Sequence, residues 1–531
     1  MQLLSFDYLG IFLTATALIY GVMPKKFKWA VLLAASYVFY YINSRYLIVC
    51  ILATTVTVYA AGIFINRISD LQKAAMKSAA DPEEKKAVRA NAKWQKKFVM
   101  LVCVLLNIGL LVFMKYRFFV GGTLDRIGDL FGLAPLFPSA GKVILPLGIS
   151  FYTLQAVSYV IDVYRGKYRA SESFGKVALF VAFFPQIFEG PIGRFDLLAD
   201  QLYEGHEMKY DRIVSAMTLI GWGMVKKFVV ADRLNPLINS VFSDYYNYSG
   251  LVIAGAAVGY TIQLYCDFSG AIDIARGSAE YFGVYMSPNF ARPYFSKSVN
   301  EFWRRWHISL GTWIKDYVFY PLSLSKRFAK RGKFCSEHFG HFMGTFIPMT
   351  CALFWVWMVN GVWHGASWKY VCYGMYYFLI TVLGMLFEPL FKKFFAVTHI
   401  DRQKMPWKIF QMIRTFILVC IGMMLFKADT LTVFFHMFTS MFSGSGLAPV
   451  ISGELFTHGA DRHDVMLAAV FSLFILLAGA YQEKGHCIRK EIQNSRLPLR
   501  WTVYLSMIFI LVIFGTYGAG YLPADPIYAG F

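Results

Sequence analysis

Charged side chains are scarce in this chain. Only 16% of its 531 residues are Asp, Glu, Lys or Arg, against 57% hydrophobic and 18% aromatic, and the mean hydropathy is +0.48. A soluble core cannot hide that much apolar surface, so a soluble globular protein is excluded. Acids are scarcer still, 32 against 52 bases, which leaves a net charge of +20. That excess does not point to nucleic acid, because the Lys and Arg lie between hydrophobic spans rather than on a soluble module. The eight cysteines include no CxxC pair, and most fall inside apolar runs, where a thiol behaves as a small hydrophobe. Neither a disulfide framework nor a zinc site is implied. GxSxG, Walker and HExxH motifs are also missing, so serine-hydrolase, ATPase and zinc-peptidase readings lack their parts. No metal ligand set is expected. The N-terminus has no basic n-region and no small-residue cleavage site, and reads as a retained first span.

Long apolar runs are what the sequence does have. Stretches suited to a hydrocarbon layer about 30 Å thick occur near 7–23, 29–43, 46–65, 98–119, 145–163, 213–231, 251–266, 343–363, 368–391, 408–427, 465–482 and 501–518. They imply an all-α polytopic membrane protein with about 11–13 membrane helices, in one domain over 1–531, since no polar insertion is long enough for a core of its own. The run "FVAFFPQIFEGPIGRF" (180–195), broken by Gly and Pro, reads as re-entrant: irregular backbone at membrane depth is tolerated only inside protein or along a cavity. Basic loops set the sidedness. "MPKKFK" (23–28) and the 66–97 segment, with nine bases and four acids, lie inside if the N-terminus lies outside; 66–97 reads as a cytosolic or interfacial helix, and 429–463 as an outer loop.

Ionisable groups inside membrane segments are costly and mark functional pathways. They concentrate in 263–321, which holds Asp267, Asp273, Arg292, Glu301, Arg304, Arg305 and His307 among many aromatics. Helical spacing over 303–314 puts Trp303, Trp306 or His307, Leu310 and Ile314 on one face, with Arg304 and Arg305 at its edge. This is an amphipathic, interfacial pattern, equally that of a Trp/Arg headgroup anchor. A second locus is "NGVWHGASW" (360–368), where His364 follows a long apolar run. Gly361 and Gly365 permit a close approach beside it. An imidazole, with an ordinary pKa near 6.5, suits general-base work. A transporter with a proton relay would use similar parts.

Six strings carry a resemblance: "LPLGISFYTLQAVSYVIDVYRG" (145–166), "FPQIFEGPIGRF" (184–195), "LYCDFSGAIDIARG" (264–277), "RPYFSKSVNEFWRRWHISLGTWIKDYVFYPL" (292–322), "NGVWHGASWKY" (360–370) and "FKADTLTVFFHMF" (426–438). In this order they resemble the motifs of membrane-bound O-acyltransferases of the alginate O-acetyltransferase type. The resemblance implies a ring of membrane helices around a central tunnel, with His364 as the catalytic residue and His307 as its companion toward the cytosol. It implies a donor thioester, acetyl-coenzyme A or an acyl carrier, rather than a bound cofactor. It also implies a polysaccharide acceptor, an SGNH-type extracytoplasmic transferase as partner, and a bacterial inner-membrane location. Trp303, Arg304, Arg305, Trp306, Asn360, Trp363 and Asp267 are the candidate substrate-binding residues. D-alanyl transfer to teichoic acid is the related alternative; the 429–463 insertion favours polysaccharide acetylation.

Overall fold

The computed structural model describes residues 5, 7–132, 135, 145–187, 189–443, 453 and 461–517. Among them every regular element is helical. Among the described residues nine helical segments are long and apolar enough to cross a membrane: Lys25–Ser78, Pro82–Asp129, Tyr210–Ser243, Gly250–Tyr281, His341–His364, Trp368–Thr398, Met405–Lys427, Arg462–Glu483 and Leu497–Phe514. The difference from the twelve expected stretches has physical causes. Those at 29–43 and 46–65 run together within Lys25–Ser78, and the helices covering 7–23 and 145–163 are too short to qualify by themselves.

Among the described residues two compact units separate, one from Met1–Met217 with Ile274–Ser287 and the other from Thr218–Asp273 with Pro288–Gly530. In the first, the helices Ile48–Ser78 and Pro82–Asp129 pack along each other and against Ile149–Arg165. The 66–97 segment is helical on both sides of a break at 79–81. It is the turn of a helical hairpin, since Ala, Lys and Glu extend both helices past their apolar parts. Asp81 accepts from the Glu83 N–H ahead of Pro82, and Lys96 Nζ donates to Gln72 Oε1 at 2.9 Å across the pair. The 180–195 run is broken as expected. Phe174–Ala182 ends at Phe183, a short turn covers Phe184–Ile187, and a new helix starts at Phe195. Gln186 supports this irregular backbone by donating to Gln155 Oε1 (2.9 Å) and the Pro191 carbonyl (3.0 Å).

Six helices of the second unit matter for the site: α1 (Gly250–Tyr281, as far as Asp273), α2 (Val299–Arg305), α3 (Ile308–Ile314), α4 (His341–His364), α5 (Trp368–Thr398) and α6 (Met405–Lys427). The continuous helix expected over 303–314 is split. Trp306 is extended, His307 is left-handed (φ 46°, ψ 51°), and α3 starts at Ile308. The cause lies in another strand of chain: Ala291 N–H donates to the Arg305 carbonyl (2.9 Å) and Ile308 N–H to that of Asn289 (3.0 Å). These bonds take over the backbone groups that a continuous helix would use. Helices α4 and α5 cross closely, since a Cβ on Gly361 would collide with the Tyr370 carbonyl and one on Gly374 with that of Trp357. Of the 429–463 segment, Leu431–Ser440 is a helix capped by Thr430, while 444–452 and 454–460 lie outside the described residues.

Candidate functional site

His364 is the last residue of α4 and is 4% exposed. Its ring meets Trp363 (centroids 5.2 Å apart), Tyr373 of α5 (5.6 Å) and Phe426 of α6 (5.2 Å), each edge to face. Phe426 also packs against Tyr370 and Tyr373. Gly365 is required just past the helix end because the Tyr370 ring occupies the place of a Cβ. The glycines flanking His364 therefore admit a neighbouring backbone and a tyrosine ring. Asn360, one turn earlier on α4, is also buried, and the i, i+4 spacing sets it on the same face.

His307 is 2% exposed and meets the same indole: its ring lies 5.6 Å from Trp363 and 4.9 Å from Phe268 of α1. Trp363 thus touches both imidazoles, so two side chains 57 positions apart in sequence share one buried aromatic site. Burial pushes the His307 imidazole down to about 3, which keeps it neutral at working pH.

The other candidates divide. Trp363 and Asn360 belong with the histidines. Trp303 packs on Trp357 (5.2 Å) and Tyr377 (4.8 Å), in the aromatic layer that Tyr373 continues toward His364. Trp306 turns away, into a cluster with Phe290, Tyr294 and Phe302. Arg305 is engaged within the fold, by Glu301 at 2.7 Å and Glu483 at 2.7 Å, and Glu483 also takes Arg292 at 2.5 Å. Arg304 is exposed. Asp267 lies in an ion cluster: Lys227, 1% exposed at its side chain, reaches Asp267 at 2.5 Å and Asp232 at 2.8 Å, and Lys226 reaches Asp273 at 2.7 Å. Pairing of this kind is how charge is accommodated at membrane depth.

Sequence reasoning missed both lysines, although "GMVKKFVVAD" places them inside an apolar run, a costly position that calls for acidic partners. The segment Val225–Ala231 is π-helical, and all but one of its residues are buried. Phe268, Tyr373 and Phe426 were missed as well; single aromatics in aromatic-rich helices give no local signal. Among the described residues no group of three or more His, Cys, Asp or Glu is placed to hold a metal ion.

His364, walled by Trp, Tyr and Phe where water is scarce, has the chemistry of a proton acceptor, with Asn360 as a nearby amide donor and His307 as a neutral imidazole beside the same tryptophan. Comparison with known proteins gives this geometry a context. The family model of the membrane-bound O-acyltransferases matches residues 169–427. The probable alginate O-acetylase AlgI of Pseudomonas putida is 32% identical over 517 residues, which cover 96% of this chain and 94% of that protein. A peptidoglycan O-acetyltransferase of Helicobacter pylori is 27% identical, over 63% of each chain. A teichoic acid D-alanyltransferase of Bacillus subtilis is 27% identical, over 53% of this chain and 68% of its own.

Proposed function

This chain belongs to the membrane-bound O-acyltransferase family as a multi-pass membrane acyltransferase, and from that premise we propose that it moves an acetyl group from a cytosolic thioester toward a cell-envelope polysaccharide, with His364 as general base. The acceptor hydroxyl oxygen attacks the thioester carbonyl carbon. His364 takes the hydroxyl proton, the C–S bond breaks, and the departing thiolate receives that proton from the imidazolium, so the site returns to its starting state. A positioned base contributes about 10²–10⁴-fold, or roughly 3–5 kcal/mol of barrier. Asn360 is the side-chain donor proposed for the oxyanion, together with backbone N–H groups near Gly365. His307, neutral and in contact with the same Trp363, is assigned to the donor side, where it orients or passes the acyl group.

The observation that carries this reading is the contact of both buried histidines with one tryptophan. The donor is acetyl-coenzyme A or an acyl carrier, and the location is the bacterial inner membrane. The acceptor is either the glycan or a hydroxyl on an extracytoplasmic SGNH-type transferase that completes the transfer. Acetyl rather than D-alanyl transfer is favoured because the alginate O-acetylase relative aligns over nearly the whole chain and the D-alanyltransferase over about half of it.

The test compares membrane vesicles from a deletion strain with those carrying the restored protein. Both are supplied with acetyl-labelled coenzyme A or, separately, with labelled D-alanine, its ligase and its carrier. Alkali-labile acetyl product that appears only on restoration supports acetylation. Label from D-alanine alone transfers the assignment to alanylation, and solute uptake with no ester product in either arm replaces it with a transporter.

A further inference from the structure

His307 occupies the N-cap position of α3, yet its imidazole makes no capping hydrogen bond. A helix start leaves backbone N–H groups in need of acceptors, and the N-cap side chain usually supplies one. Here the acceptor comes from elsewhere in the chain. Asn289, 0% exposed, accepts at its Oδ1 from the Ser309 N–H (2.9 Å) and from the Ser309 hydroxyl (2.9 Å), while its carbonyl takes the Ile308 N–H (3.0 Å). One residue thus satisfies the first two N–H groups of α3 and the hydroxyl beside them.

The same bonds hold His307 in a left-handed conformation (φ 46°) that a non-glycine residue adopts only where its surroundings impose it. Released from capping, the imidazole is turned to Phe268 and Trp363. We propose that Asn289 is a positioning residue for the acyl transfer: by capping α3 in place of His307, it fixes the strained backbone that delivers the His307 ring to Trp363. The inference rests on His307 having a part in the reaction, and the experiment separates the two.

The measurement is a double-mutant cycle on acetyl transfer from labelled acetyl-coenzyme A in membrane vesicles, with kcat and donor KM read at matched protein level. Asn289→Ala should lower kcat at least about tenfold in the wild-type background and less than about twofold in His307→Gln, because a group acting through His307 has nothing left to position. Asn289→Asp, which keeps the acceptor oxygen, should retain kcat within about threefold of wild type. Equal proportional losses in both backgrounds would overturn the positioning role and leave Asn289 a general support of the fold. Asn289→Ser is carried through the same cycle, so the additivity is read from whichever variant accumulates. An unimpaired His307→Gln would sink the reading of His307 itself, an outcome visible before Asn289 is touched.

Discussion

The two histidines reach one tryptophan by opposite means. His364 ends a regular 24-residue helix, and its place is set by that helix and by the glycine crossing of α4 and α5. His307 sits at a break between two seven-residue helices, on strained backbone, and its place is set by bonds from residues 289–291. The difference teaches that one half of the site is built locally and the other by tertiary contacts. A regular helix end withstands distant changes. A left-handed residue persists only while its surroundings over-determine it.

The contrast can be broken hardest from the ion cluster. Lys227→Met leaves Asp232 and Asp267 buried without their cation, a change worth about 3–5 kcal/mol. Phe268, which follows Asp267, packs on His307. Thermal unfolding in detergent should show the loss, and the triple change Lys227→Met, Asp232→Asn, Asp267→Asn should recover much of it. Failure of the neutral triple variant to recover stability would mean that the cluster does more than balance charge.

Gly361→Ala probes the His364 half. Its methyl would meet the Tyr370 carbonyl, so α4 and α5 must part, at a cost of about 1–3 kcal/mol. Acyl transfer should fall along with the unfolding temperature; unchanged values for both would show that the crossing is not what seats His364.

The adjacent arginines give a smaller contrast. Arg305→Ala removes the partner of Glu301 and Glu483 and should lower stability by about 1 kcal/mol, while exposed Arg304→Ala should stay within about 0.5 kcal/mol of wild type. A raised donor KM for Arg304→Ala alone would give that side chain the phosphate contact that Arg305, held within the fold, is not placed to make.

The pH dependence gives a contrast of another kind. Since the folded state holds His307 down to about 3 from an ordinary 6.5, the unfolded chain binds the extra proton between those values. The stability tied to the neutral imidazole is complete above about 6.5 and is lost as pH falls through that window. The slope of unfolding temperature against pH between 4 and 6.5 should flatten in His307→Gln; an unaltered slope would assign the dependence to other groups.

Much of this was legible in the sequence. Apolar length gave the helical class, and the string around His364 gave a catalytic candidate, because its spacing and its helix-ending glycine are local. The break at Trp306–His307 was not, since the i, i+3, i+4 pattern continues through it and only the bonds from 289–291 override it. Asn289 left no mark for the same reason: nothing in "MSPNFARPYF" says which helix its amide will cap. The ion pairs of Arg305 and Asp267 were not legible either, because their partners, Glu483 and Lys227, are remote in sequence.

The central claim is that His364 does the chemistry, and His364→Gln tests it most directly. Glutamine keeps a donor and an acceptor in a similar volume but cannot take up the proton. With labelled acetyl-coenzyme A in membrane vesicles at matched protein level, product formation should fall at least about 10²-fold while the unfolding temperature in detergent stays near wild type. Retention of more than about a tenth of wild-type activity, or a fall in stability in step with activity, would contradict the general-base assignment.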